Sequence, residues 1–219
     1  IEMEVLSEIL NKQRFISCHP YIQSEINMLM KVAEKYNFKI NTFTHILEGY
    51  NVADKMKMHG AGASTFSDWW AYKYEVNDAI PYNATILNNI GVITAINSDD
   101  AEMSRRLNQE AAKAVKYGGA SEQDAWKMVT LNPAKLLRID DKVGSIKVGK
   151  EADLVLWSGH PLSIYSKAEK TIIEGVTYFD LERDQKMRSL LRDERNNFIQ
   201  MLLEAKSEGV KTQNIKIKK

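Results

Sequence analysis

Four histidines and the Asp99-Asp100 pair are the groups in this chain of 219 residues that invite a chemical reading. His19 closes the run Arg14-Phe15-Ile16-Ser17-Cys18, His45 follows Phe38 to Thr44, and Asp99 ends the run that begins at Gly91-Val92-Ile93-Thr94-Ala95-Ile96. Each stands at or just past a short apolar segment of the kind that forms a buried strand. In a parallel sheet or barrel the C-terminal ends of all strands open on one face, and chemistry collects there. Residues 26 and 54 positions apart can therefore converge on that face. Two imidazoles and a carboxylate form an ordinary ligand set for zinc or another divalent first-row ion.

The other candidates read more simply. His59 precedes Gly60 at a helix end, where the dipole mildly favours a cation, and His160 lies in a Gly159-His160-Pro161 turn. Asp100 suits the N-cap of the following helix. Gly60-Ala61-Gly62-Ala63-Ser64 follows a helix and enters a strand, the reverse of a phosphate loop. Cys18 reads as a small buried hydrophobe. Trp69 and Trp70 sit in a polar and aromatic connection that should overhang the strand ends, so they are candidates for a substrate-binding wall as well as for packing.

Elements that could position these groups alternate regularly. Val5, Leu6, Ile9 and Leu10 mark a first helix, and Ser24 is the expected cap of a second carrying Ile26, Leu29, Met30 and Ala33 inward. Val52 to Gly60 reads as a third helix with Gly60 as its stop, and Ala61 to Phe66 as a strand. Ile80 to Ile90 forms the next helix, stopped by Gly91, and one long helix is expected from Asp99 to about Tyr117. Ser121 starts a helix through Val129, and Asn132-Pro133 supplies an expected N-cap and first-turn proline for another. Four strands alternating with helices predict a parallel sheet with right-handed crossovers.

From Val143 the pattern changes to glycine-punctuated short runs, with a hairpin expected at Glu174-Gly175. Residues 181–206 read as a charged helix with Met187, Leu190, Leu191, Phe198, Met201 and Leu202 free to pack, and residues 212–219 as a frayed basic tail. Hydrophobic content of 44%, charge of 27% and a net charge of +1 are those of an ordinary globular chain. The balance gives no footprint for nucleic acid or an anionic membrane, and no apolar run reaches transmembrane length.

The run Gly144-Ser145-Ile146-Lys147-Val148-Gly149-Lys150-Glu151-Ala152-Asp153-Leu154-Val155-Leu156-Trp157, preceded by Thr130-Leu131-Asn132-Pro133-Ala134, resembles the C-terminal signature of the metal-dependent amidohydrolase superfamily. The likeness is nearest to its imidazolonepropionase-like members and covers roughly residues 10–180. It implies an α/β fold: the second half of a (β/α)8 TIM barrel in residues 1–138, part of a composite small β-sandwich in 139–180, and a C-terminal helical extension in 181–219. It further implies His19 and His45 as metal ligands from the fifth and sixth strands, and Asp99 as the eighth-strand aspartate that binds metal or its water and acts as general base. One or two divalent ions, most simply zinc, would be the cofactor.

The family's His-x-His pair and bridging lysine have no counterpart here. The expectation is therefore a C-terminal fragment, inactive alone, of a hydrolase that cleaves non-peptide carbon–nitrogen bonds of a small-molecule amide or cyclic amide. A deaminase or dipeptidase of the same superfamily, or a non-catalytic protein keeping its fold, are the alternatives. The missing N-terminal half of the barrel is the expected partner, and unpaired sheet edges predict self-association into a homo-oligomer. On that expectation any localisation signal would lie upstream of Ile1, so no compartment is assigned.

Overall fold

The computed structural model describes residues 2–211. Four short strands, β1 (Ser17–Cys18), β2 (Thr42–Thr44), β3 (Gly62–Thr65) and β4 (Thr94–Ile96), form one parallel sheet in sequence order. Consecutive helices cross between them: α1 (Glu2–Leu10) precedes β1, α2 (Gln23–Lys35) joins β1 to β2, α3 (Ala53–His59) joins β2 to β3, and α4 (Asn83–Ile90) joins β3 to β4. Strand order equal to chain order is what right-handed βα repeats produce.

Ile26, Met30 and Ala33 of α2, Met56 of α3 and Leu87 of α4 pack with Phe43 and Ala63 of the sheet in one buried cluster. This apolar layer fixes the sheet, and it leaves the strand ends to the polar residues. Gly60 and Gly91 end α3 and α4 in left-handed backbone, with φ of 84° and 92°, as a helix stop requires.

Several local expectations are corrected. Helix α2 begins at Gln23 after Ile22, so Ser24 lies inside it; the Gln23 N–H is instead met by the Glu48 carboxylate at 3.0 Å. The helix expected after Asp99 is two, α5 (Ala101–Ser104) and α6 (Leu107–Gly118), because Arg106 leaves helical geometry at φ −129°, ψ 30°. Asn132 does not cap its helix. Helix α8 (Leu131–Leu136) already contains it, and its buried side chain donates to the Thr94 carbonyl of β4 at 2.8 Å. The α7 helix (Glu122–Lys127) does start on Ser121, whose hydroxyl accepts from the Asp124 N–H at 3.0 Å.

Strands β5 (Leu154–Trp157), β6 (Ala168–Ile173) and β7 (Val176–Asp180) form a separate antiparallel sheet, with the β6–β7 hairpin turning at Glu174 and Gly175. Both turn residues have positive φ, 50° and 79°, matching the right-handed twist of the strands they join. Among the described residues these three strands form one antiparallel layer. Helix α9 (Leu181–Ser207) follows without a break, capped by the Asp180 carboxylate on the Arg183 N–H. The tail expected at residues 212–219 lies outside the described residues.

Candidate active site at the strand ends

His45 is the centre of the site. It follows β2 directly and adopts left-handed backbone at φ +64°, which turns the chain so that the Leu47 N–H closes on the His45 carbonyl at 2.8 Å. Non-glycine residues accept this conformation at a cost and are held in it by surrounding structure. Here the holder is Asn83 of α4. Its amide donates to the Ile46 carbonyl at 2.7 Å and to Thr65 Oγ1 at 2.9 Å, while its oxygen accepts from the Tyr50 N–H at 2.9 Å. All three bonds of this buried amide are spent on locking the turn behind His45.

His19 leaves β1 one residue after its end, and its ring lies 4.6 Å from that of His45, centroid to centroid. Asp99 stands three residues past β4, with Oδ2 3.7 Å from His45 Nδ1. The same nitrogen lies 3.3 Å from Asn97 Nδ2, and Asn97 Oδ1 accepts from the Ser64 hydroxyl at 2.7 Å. The three predicted residues therefore meet at the C-terminal face of the sheet, with His45 buried between an exposed imidazole and a half-exposed carboxylate.

Burial lowers the pKa of His45; Asp99 opposes the shift, while His19 and Lys73 add to it. The ring is thereby kept neutral with a lone pair available, the form in which an imidazole binds metal.

A chain of rings walls one side. Phe66 stacks on His45 at 5.0 Å, Trp69 on Phe66 at 4.4 Å, and Tyr72 meets Trp69 edge-on at 5.4 Å. Tyr21 also stacks on His45, at 5.9 Å, with Lys73 Nζ 3.7 Å above the Tyr21 ring. Trp70 is turned away. It packs edge-on against Tyr117 of α6 at 5.9 Å and takes no part in the ring chain that reaches His45.

The loop carrying these aromatics is anchored below. Lys113 bonds both Asp68, at 2.6 Å, and the buried Glu110 at 2.9 Å, and Ser67 donates to Glu110 as well.

His59 and His160 do not join the site. His59 is buried and its Nε2 accepts from the Ile40 N–H at 3.1 Å, while His160 faces Glu122 at 3.4 Å. Asp100 caps α5, accepting from the N–H groups of Glu102 and Met103 at 2.8 and 2.9 Å. Cys18 packs beside the core, and its thiol pKa is raised by burial and by Glu25.

The donor set fits part of a divalent-metal shell: a neutral buried imidazole, a second imidazole beside it, and a carboxylate opposite. Among the described residues no three His, Cys, Asp or Glu side chains close on a single point by themselves.

A parallel βα sheet with two histidines and an aspartate gathered at its strand ends places these groups on the face where α/β enzymes carry their chemistry. The comparisons make it specific. Residues 77–180 match the model of the amidohydrolase family. Amidohydrolase tasK of Hapsidospora irregularis is 26% identical over 185 residues, covering 82% of this chain and 19% of that protein. The imidazolonepropionase of Picrophilus torridus is 40% identical over 76 residues, 34% of this chain and 19% of the relative. A crystal structure of an amidohydrolase from Thermotoga maritima MSB8 superposes with a TM-score of 0.75 at 31% identity, covering 82% of this chain and 47% of that one. The chain is similar to amidohydrolases over most of its length, and it spans less than half the length of these relatives.

Proposed function

We propose that the whole protein is a metal-dependent hydrolase of carbon–nitrogen bonds in a small amide or cyclic amide, and that His19, His45 and Asp99 are this chain's share of its metal centre. The observation that carries the reading is the meeting of a buried, neutral His45 with the His19 ring at 4.6 Å and the Asp99 carboxylate at 3.7 Å on one face of a parallel sheet.

A bound divalent ion, most simply zinc, supplies a Lewis acid and an acidic water. The chain's residues do the rest. Asp99 is half exposed on the open side of His45, where it can accept the proton of an attacking water and return it to the leaving nitrogen. Phe66 and Trp69 line the approach with apolar surface that excludes bulk water and can hold the substrate's apolar part. Because the chain spans 47% of its structural relative, the chain alone should hold an ion weakly and turn over little.

In the whole protein, Asp99→Asn should lower amide hydrolysis by roughly 10²–10⁴-fold while the circular dichroism spectrum is unchanged. Full turnover in that variant would remove Asp99 from the mechanism. A whole protein that holds no divalent ion by elemental analysis and cleaves no amide would remove the enzyme reading altogether.

A further inference from the structure

Helix α9 leaves an apolar stripe uncovered. Over its 27 residues, Met187, Leu191, Phe198 and Met201 are 50, 58, 61 and 62% exposed, and only β6 and β7 pack against the helix to any extent among the described residues. The stripe has a regular period. Met187, Leu191, Glu194, Phe198, Met201 and Ala205 follow at alternating steps of four and three, the seam of a two-stranded coiled coil. Leu190 and Leu202 widen it on either side, and Leu191, Glu194, Arg195, Phe198 and Leu202 line a shallow groove at its middle.

We infer that α9 is a self-association helix that pairs with α9 of a second copy of this chain in antiparallel orientation. Charge decides both the occupant and the direction. The one acidic seam position, Glu194, lies near the middle of the helix with Arg195 beside it. A parallel pair would stack Glu194 on Glu194 of the other copy inside the seam, burying two like charges.

The antiparallel register places Met187 opposite Ala205, Leu191 opposite Met201 and Glu194 opposite Phe198. It also brings Glu194 within reach of Arg195 of the other copy, twice by symmetry. The helix thus carries both halves of the complementarity it needs. At about 1.5 Å per residue the seam from Met187 to Ala205 runs about 27 Å and holds six layers.

Sedimentation equilibrium of the full chain tests the pairing, with twice the monomer mass expected. Phe198→Glu should return the monomer, and so should Glu194→Arg, whereas Glu194→Arg combined with Arg195→Glu should restore the dimer. In a Cys18→Ala background, Leu191→Cys and Met201→Cys chains should form a disulfide-linked species only when the two are mixed and oxidised. A monomeric parent chain overturns the proposal. So does a dimer that survives Phe198→Glu, which would place the contact on another surface such as the sheet edges, and so does cross-linking of Leu191→Cys alone, which would report parallel helices.

Discussion

His45 occupies its place because a turn that few residues accept is bolted from behind by an asparagine. The left-handed backbone at φ +64° aims the imidazole across the strand ends, and Asn83 spends three hydrogen bonds holding that turn. From the front, Asn97 touches His45 Nδ1 and is itself fixed by Ser64. The amide nitrogen of Asn97 is a donor, so His45 Nδ1 is the acceptor of this contact, and the contact fixes the ring's orientation. If His45 serves the proposed metal centre, Asn97→Ala should loosen the ring and weaken zinc binding, read by competition with a chromophoric chelator, without unfolding the chain.

His19, His45 and Asp99 were legible as candidates because each ends an apolar run, and strand ends in parallel sheets share a face. Asn97 could have been found by the same logic, since it lies two residues before Asp99 at a strand exit, where alternate residues share a side. Asn83 carries no such signal. Its role depends on where α4 lands against the His45 turn, and a single asparagine at the start of a helix does not announce that.

At the scale of elements, the alternation of helix and strand could be read from apolar periodicity, but the ends of elements could not. The break between α5 and α6 falls where two arginines follow one another. It lets Met103 lie at 2.8 Å from Trp69 Nε1, while Asn108 reaches the Pro161 carbonyl at 2.6 Å. Both contacts are long-range, so no local pattern encodes them.

The loop after β3 is anchored in the same way. Burial works against the charge on Lys113, yet hydrogen bonds to Asp68 and Glu110 outweigh it and raise the lysine's pKa. Removing the lysine leaves Glu110 buried with Ser67 as its remaining partner in this cluster. Lys113→Ala should destabilise the chain by about 1–3 kcal/mol, the lower part of the range for a broken buried pair because Lys113 is one-quarter exposed. A shift of the urea midpoint at constant slope measures it. Glu110→Gln should cost less, since it removes the buried charge while keeping a hydrogen-bonding group.

At the scale of the whole molecule, this α/β chain superposes on 47% of the T. maritima amidohydrolase, and its residues 77–180 match the amidohydrolase family model. If His19, His45 and Asp99 contribute to a metal centre, binding and folding are linked. Zinc at about 100 times its dissociation constant should stabilise the whole protein by about 2.7 kcal/mol. Differential scanning fluorimetry should show that gain as a higher melting temperature, and His45→Ala should abolish it.

Periodicity, strand-end chemistry and the glycine-rich signature are local, so the α/β class, the likeness to amidohydrolases and the three groups that converge were readable in one dimension. Only the tertiary structure decided which neighbours serve them. It turned Trp69 toward His45 and Trp70 toward Tyr117, moved Asn132 from a cap to a strap on β4, and set Asn83 against the His45 turn. Those choices depend on packing between residues far apart in the chain. Their energies come from burial and from satisfying polar groups in the interior, and neither is visible until the chain has closed on itself.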